Sequence, residues 1–231
     1  MDSASPASAT PRHASRLERF HATHSYWAVL IAILATFLFA GLAPNAAWAT
    51  SVLVLLGTAT LVLALRTSGW RVTQSRVVFV LVVVGSSAAA ANLIWHGRAL
   101  LAVLDVITGL LTLALGVVIA IGALEQGEVN SKSVAGAICV YILIGMAFLY
   151  LYGLIAAVGH GPFFAQGTDG TRSLRLYFSY VTLATLGYGD YTPAGNVGHT
   201  FAVLEALLGQ LFLVTVVAVV VTRVSGRLRR Q

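Results

Sequence analysis

The sequence predicts an all-α integral membrane protein, with four front helices followed by a two-helix module. Of its 231 residues, 58% are hydrophobic and only 10% are charged, and the mean hydropathy is +0.87. A soluble domain usually carries about 25% charged residues. These values therefore exclude an ordinary soluble domain.

Six apolar segments are long enough to cross a membrane, since about 20 apolar residues span the hydrocarbon core as a helix. They are Tyr26–Ala43, Trp48–Leu65, Val77–Trp95, Ala99–Leu124, Val134–Val158 and Gly198–Thr222. The run Ser173–Leu186 is too short to span. It is typical of a re-entrant helix followed by irregular backbone, which is tolerated at membrane depth where it lines an aqueous path.

These spans divide the chain into five parts: a tail, a four-helix domain, a linker, the two-helix module and a basic tail. Their bounds are 1–25, 26–124, 125–133, 134–222 and 223–231. The first tail is rich in Ser, Ala and Pro, so we expect it to be mobile. One alternative stays open: Ala47-Trp48-Ala49 resembles a signal-peptidase cleavage site, and cleavage there would remove the first span.

The arginines predict the orientation of the spans, because short cytoplasmic loops retain Lys and Arg. Three clusters fall on one side of a six-span topology: Arg12, Arg16 and Arg19; Arg66, Arg71 and Arg76; and Arg223, Arg227, Arg229 and Arg230. We therefore expect both termini in the cytoplasm. The membrane is expected to be the plasma membrane. The clusters account for the net charge of +6, so no nucleic-acid partner is expected. The basic end can contact anionic lipid headgroups.

The segment from Thr182 to Asp190, Thr-Leu-Ala-Thr-Leu-Gly-Tyr-Gly-Asp, is the most informative part of the chain. Its two glycines, Gly187 and Gly189, alternate with bulkier residues. Glycine adopts positive φ at little cost, so the backbone can twist until successive carbonyls point one way. Four chains around one axis would turn each carbonyl into a ring of oxygens able to replace the hydration shell of K⁺.

The segment resembles the selectivity filter of tetrameric pore-loop potassium channels, and the resemblance covers Val134–Thr222. Six residues match the signature of that family: Thr182, Thr185, Gly187, Tyr188, Gly189 and Asp190. The resemblance implies a homotetramer that conducts K⁺ passively, is not an enzyme and needs no cofactor beyond the ions in its filter. It implies K⁺ ligation by Thr185, Leu186, Gly187 and Tyr188, with Gly189 at the mouth. Leu186 replaces the usual Val, which changes packing behind the filter.

Three residues outside the carbonyl row are expected to support the filter together with Thr182. The resemblance implies that Tyr177 bonds Asp190, and the alternative is an interfacial anchor. Glu205 is the carboxylate within the last span, where an ionisable group is costly. We expect it behind the filter, bonded to hydroxyls such as that of Thr182, in either a titrating or a purely structural role.

The last span also carries the candidate gate. Gly209 lies where relatives place a hinge, although a glycine there also permits close helix packing. Gln210 is expected either to face the cavity below the filter or to bond a neighbouring helix. The resemblance points three apolar side chains toward the axis, where a hydrophobic constriction could close by dewetting: Leu213, Val217 and Val221.

The fourth span, Ala99–Leu124, lacks the basic residues that a voltage sensor requires. It contains Asp105 but no Lys or Arg, and a charge must cross the field to gain about 2.3 kcal/mol per 100 mV. Opening is therefore expected to be weakly voltage-dependent or voltage-independent. Asp105 is expected to pair with Arg98 or Asn92.

Two alternatives from other classes stay open: a subunit of a potassium uptake system, and a membrane sensor with a vestigial pore. Transporters usually need repeated or inverted halves, whereas the filter segment occurs once in this sequence. The chain contains no recognisable catalytic constellation.

Overall fold

The structure is a computed structural model that describes residues 16–67, 98–124 and 131–228, with short helical pieces between 80 and 90. These residues form the helices α1 (Arg16–Leu42), α2 (Ala47–Thr67), α3 (Arg98–Leu124), α4 (Ser131–Val158), α5 (Arg172–Leu183) and α6 (Asn196–Leu228). Within them the β-structure amounts to isolated bridges at Phe164. The predicted all-α membrane fold is confirmed.

Four helices of the described part are long and apolar enough to cross a membrane. The qualifying segments are Trp48–Leu65, Val103–Gly122, Ser133–Val158 and Asn196–Val219, and Trp27–Leu42 forms a shorter apolar helix. The chain is a multi-pass membrane protein. Most of the predicted third span, Val77–Trp95, lies outside the described residues.

Two helices begin inside segments that were predicted from the sequence to lie outside the spans. α1 begins at Arg16, inside the segment expected to be a mobile tail, and α4 begins at Ser131, inside the expected linker. A helix propagates more easily than it nucleates. The polar residues next to an apolar span therefore continue its helix, although hydropathy alone does not mark them.

The front helices pack on the module of their own chain. One core cluster joins α1, α2 and α3 to α4; its fully buried members include Val54, Leu61 and Leu104, with Cys139 on α4. Cys139 is thus a small core residue. A second cluster brings Ala40 and Leu53 against Leu176 on α5.

Helix α5 is short and has defined ends. Thr171 caps its first turn, where the hydroxyl accepts the Leu174 N–H at 3.1 Å, and the helix ends at Leu183. A cluster of aromatic rings holds α5 against α4 and the loop between them: Phe148, Tyr152, Phe163, Phe164 and Phe178. This packing sets where the filter segment starts.

Helix α6 leaves most of its apolar surface uncovered in a single chain. Only 11% of the window Asn196–Val219 is buried, against 44% to 50% for the other three spanning windows. The exposed side chains include Val203, Leu207, Leu211 and Val214.

Candidate functional site

The backbone after α5 alternates in handedness at every second residue. Thr185, Gly187 and Gly189 have φ values of 57°, 55° and 77°, whereas Leu186 and Tyr188 do not have positive φ. Alternation of this kind turns successive carbonyl groups toward one side of the chain, as the sequence predicted. Positive φ is uncommon for a residue with a branched side chain, so Thr185 is held there by its surroundings.

The end of α5 fixes the start of this strand-like segment. The Leu186 N–H donates to the Val181 carbonyl at 2.9 Å, and the Thr185 N–H donates to the Thr182 carbonyl at 2.9 Å. These bonds satisfy carbonyls that a helix terminus would otherwise leave unpaired. The segment therefore starts next to the C-terminal end of α5, where the helix dipole favours cations.

The side chains of the segment have little support from their own chain. Leu186 is 57% exposed and Tyr188 is 65% exposed. Tyr188 stacks on Tyr177, with ring centroids 6.4 Å apart and an interplanar angle of 17°. More than half of each side chain thus remains uncovered in a single chain.

Tyr177 and Asp190 form the hydrogen bond that the sequence predicted. The Tyr177 hydroxyl donates to Asp190 Oδ2 at 2.7 Å, and the Tyr191 N–H donates to Asp190 Oδ1 at 3.1 Å. The bond to Asp190 raises the pKa of Tyr177 to about 12, because loss of the phenol proton would bring two anions together. The bond joins α5 to the far end of the segment.

Glu205 lies fully buried behind the segment, but Thr182 is not its partner. Glu205 Oε1 contacts the Ser179 hydroxyl and Oε2 accepts from the Tyr152 hydroxyl, each at 2.5 Å. Ser179 lies one turn before Thr182 on α5, level with Glu205 on α6. Hydropathy and spacing place Glu205 near α5 but do not give this register.

Ser179 also reaches the backbone of α4, since its hydroxyl lies 2.8 Å from the Gly145 carbonyl. The Glu205 carboxyl, Ser179 and Tyr152 therefore connect three helices: α6, α5 and α4. Sequence reasoning missed Ser179 and Tyr152. The signal for Tyr152 was a hydroxyl inside an apolar span, and the signal for Ser179 was a hydroxyl in the short helical run, although a serine there usually bonds its own helix.

Gln210 contacts the inner end of the segment. Its Nε2 donates to the Thr185 hydroxyl at 3.1 Å, so it reaches a side chain expected to ligate K⁺. The expected gate residues Leu213 and Val217 lie further along α6, and both are exposed in a single chain. The side chain of Val221 lies outside the described residues.

Gly209 lies at the closest approach of α6 to α5. A Cβ atom at this position would overlap the backbone carbonyl of Leu183. Of the two interpretations made from the sequence, close packing has direct structural support. The hinge stays a prediction.

Asp105 on α3 pairs with a residue that the sequence did not suggest. Arg175 Nη2 on α5 lies 3.9 Å from Asp105 Oδ2. Of the expected partners, Asn92 and the side chain of Arg98 lie outside the described residues. The spacing of the sequence could not reveal a partner seventy positions away on another helix.

Comparison with known proteins concerns the second half of the chain. Residues 133–226 match the family model described as "Ion channel". "Protein LctB" of Bacillus caldotenax is 34% identical over 89 residues, or 36% of this chain and 63% of the relative. "Protein LctB" of Geobacillus stearothermophilus is 36% identical over 88 residues, or 36% of this chain and 60% of the relative.

A further relative is the "Inward rectifier potassium channel Kirbac3.1" of Paramagnetospirillum magnetotacticum. It is 32% identical over 69 residues, or 30% of this chain and 23% of the relative. The chain thus spans less than two thirds of the length of each of these relatives. No solved structure matches the chain.

Proposed function

We propose that the chain is the subunit of a homotetrameric, potassium-selective channel, because residues 133–226 match the family model described as "Ion channel" and part of the chain is similar to an inward rectifier potassium channel. The observation that carries the proposal is the alternation of positive φ at Thr185, Gly187 and Gly189. A row of carbonyls on one side of the backbone offers the oxygen ligands that a dehydrated K⁺ needs. The ion binds at Thr185, Leu186, Gly187 and Tyr188.

Two features support assembly into a ring of four. Leu186 and Tyr188 are more than half exposed in one chain, and the spanning part of α6 is 11% buried. A fourfold axis beside the filter segment would cover both surfaces with copies of the same chain, in a closed cyclic assembly. It would also bring the four carbonyl rows together.

Conduction is passive in this proposal, and K⁺ moves down its electrochemical gradient. Every ligand proposed for the ion is an oxygen of the filter segment, so no covalent bond is made or broken as ions pass. Multiple ions in adjacent sites allow binding that is strong enough for entry and weak enough for exit. The uptake-subunit and vestigial-sensor alternatives both predict the absence of autonomous flux.

Weak voltage dependence follows from the charges of α3. Asp105 is the charged residue inside the spanning window Val103–Gly122, and it pairs with Arg175 at 3.9 Å. A single paired carboxylate gives little gating charge, because each charge that crosses the whole field gains about 2.3 kcal/mol per 100 mV.

We place the channel in the plasma membrane with both termini in the cytoplasm. The arginine clusters at 12–19, 66–76 and 223–230 support this orientation, since basic residues are retained on the cytoplasmic side. The filter mouth at Asp190 then faces outward. The last cluster lies where anionic lipid headgroups can contact it.

A flux assay tests the proposal. The purified full-length chain is reconstituted into K⁺-loaded liposomes, and K⁺ efflux is followed after addition of a protonophore, with liposomes lacking protein as the blank. We expect efflux of K⁺ from K⁺-loaded liposomes and no efflux of Na⁺ from liposomes loaded with Na⁺ instead. Absence of K⁺ efflux from correctly oriented tetramers would favour a vestigial pore.

A further inference from the structure

The first turns of α5 direct two arginines toward the front half of the chain. Arg172 and Arg175 are three positions apart and therefore share one face of the helix. Both contact helices that precede the family-matched segment 133–226. Neither belongs to the filter signature.

Arg172 is buried, with 8% of its surface exposed, and inserts into the corner between α1 and α2, which comprises residues 40–50. Its guanidinium donates to three backbone carbonyls and one hydroxyl, and its own backbone N–H donates to an amide oxygen. The acceptors are Ala40 O at 3.4 Å, Ala43 O at 3.5 Å, Pro44 O at 3.2 Å, Thr50 Oγ1 at 3.3 Å and Asn45 Oδ1 at 3.3 Å.

These acceptors explain why an arginine occupies this position. The last carbonyls of α1 have no partner within their own helix, and they form the negative end of its dipole. Arg172 satisfies one of them, that of Ala40, and also bonds the Ala43 and Pro44 carbonyls that follow the helix end. At the N-terminus of α5, however, a positive charge opposes the helix dipole, so Arg172 contributes to the contact between helices rather than to α5 alone.

Arg175 makes the second link, to Asp105 on α3 at 3.9 Å. Both side chains are mostly buried, with 15% and 21% of their surfaces exposed. The pair needs the space beside Gly153 on α4, because a Cβ atom there would lie 2.7 Å from Asp105 Oδ2. Three helices are thus built around this ion pair.

The opposite end of α5 carries the filter. The helix has 12 residues, or roughly 18 Å at 1.5 Å per residue, and its last carbonyls accept the N–H groups of Thr185 and Leu186. In the last turn of α5, the Tyr180 ring packs edge-on against Phe37 of α1, with centroids 5.0 Å apart. Tilting the start of α5 would therefore displace the filter backbone.

We propose that the front half of the chain positions the filter of its own pore, through the corner that holds Arg172 and through the Asp105–Arg175 pair on α3. Movement of α1, α2 or α3 changes the tilt of α5 and so the conducting geometry of the filter. The front half then acts on the filter directly, and not on the inner end of α6. The inference rests on the proposed channel function.

The test alters the front half and measures the filter. Thr50→Val removes one acceptor of Arg172, and Asp105→Asn removes the charge that faces Arg175. Thr58→Val is the matched control: it is the same substitution on the same helix, at a buried hydroxyl without a hydrogen-bond partner. Arg172→Lys keeps the charge but loses the fork of donors.

Two readouts separate positioning from general stability in the full-length protein. Single-channel recording gives the open lifetime and the Rb⁺/K⁺ permeability ratio, and hydrogen exchange gives the protection of residues 172–190. Thr50→Val and Asp105→Asn are expected to change the open lifetime about fivefold, the factor that corresponds to the loss of one typical intramolecular hydrogen bond. They should also accelerate exchange at 172–190, whereas tetramer content and exchange in α6 should stay at wild-type values.

A double-mutant cycle over Asp105→Asn and Arg175→Gln completes the test, and non-additive open lifetimes are expected from a direct pair. The inference would be overturned if open lifetimes, permeability ratios and exchange all stayed at wild-type values in Thr50→Val, Asp105→Asn and Arg172→Lys. The proposed channel function would be unaffected by that result. If the wild type conducts no K⁺, the proposed function fails. The exchange data alone then decide whether the front half positions α5.

Discussion

The Ser179 hydroxyl contacts Glu205 Oε1 at 2.5 Å and the Gly145 carbonyl at 2.8 Å, and Tyr152 donates to the other carboxyl oxygen. Three acceptors, the two carboxyl oxygens and the carbonyl, thus face two hydroxyl hydrogens. A third hydrogen, carried by Glu205, would satisfy every contact. Glu205 would then donate to Ser179, and Ser179 would donate to the Gly145 carbonyl.

Glu205→Gln is expected to keep the assembly and the conductance, because its amide can donate to Ser179 and accept from Tyr152. Glu205→Ala leaves two buried hydroxyls without that partner and should destabilise the tetramer by about 2–4 kcal/mol. Thermal unfolding of the reconstituted variants measures this difference. Equal unfolding temperatures for Gln and Ala would exclude a role for the carboxyl group in joining α4, α5 and α6.

Gly187→Ala is expected to abolish K⁺-selective current while tetramers still form. Gly187 has a φ of 55°, and in one chain a Cβ atom there would meet no heavy atom within 4 Å. The free-energy cost of the substitution is therefore conformational, roughly 1–2 kcal/mol for each chain. It falls on the backbone that carries the proposed K⁺ ligands. Liposome flux and cross-linking report current and assembly separately.

The control for this substitution is Gly161→Ala, since Gly161 also has open space at its Cβ position but lacks a positive φ. Gly161→Ala should conduct like the wild type. A selective K⁺ current through Gly187→Ala would remove the filter assignment.

Tyr177→Phe is expected to shorten or lengthen the open state by several-fold, because it deletes the 2.7 Å bond to Asp190 and leaves the ring stacked on Tyr188. Single-channel dwell times measure the effect. The bond raises the pKa of Tyr177 to about 12. The phenol therefore stays protonated at neutral pH and loses its proton only when the pH rises through that raised pKa. This bond should therefore contribute no pH dependence near neutrality. Dwell times equal to those of the wild type would reduce Tyr177 to an interfacial anchor.

Gln210→Leu is expected to lower the single-channel conductance, because the Thr185 hydroxyl loses the donor that lies 3.1 Å away. Gln210→Glu cannot donate when ionised and serves as the paired variant, in which the added charge should raise the local K⁺ concentration. Conductance measured over a series of K⁺ concentrations separates the two effects. Unchanged conductance in Gln210→Leu would mean that the contact does not act on the conducting row.

The sequence was sufficient for the features that depend on local pattern. Apolar length predicted the four spans that the described helices show, and the alternation of glycine with Leu186 and Tyr188 predicted the positive φ that Gly187 and Gly189 adopt. The Tyr177–Asp190 bond followed from the family resemblance, which covers both residues.

Features that depend on the register between distant helices could not be predicted. Glu205 bonds Ser179 and Tyr152 rather than Thr182, since one helical turn decides the partner. Arg172 and Arg175 contact α1, α2 and α3, and no periodicity within α5 specifies what faces it. The one local sign was a basic residue at a helix start, where the dipole disfavours it.

Bi-ionic reversal potentials test the central claim most directly. Purified full-length protein in a planar bilayer faces K⁺ on one side and Na⁺ on the other, and the zero-current voltage gives the permeability ratio. Carbonyl rings built from Thr185 to Tyr188 predict a reversal potential that follows the K⁺ gradient and shifts when K⁺ is replaced. A reversal potential that stays near zero, or that follows Na⁺, would contradict the account.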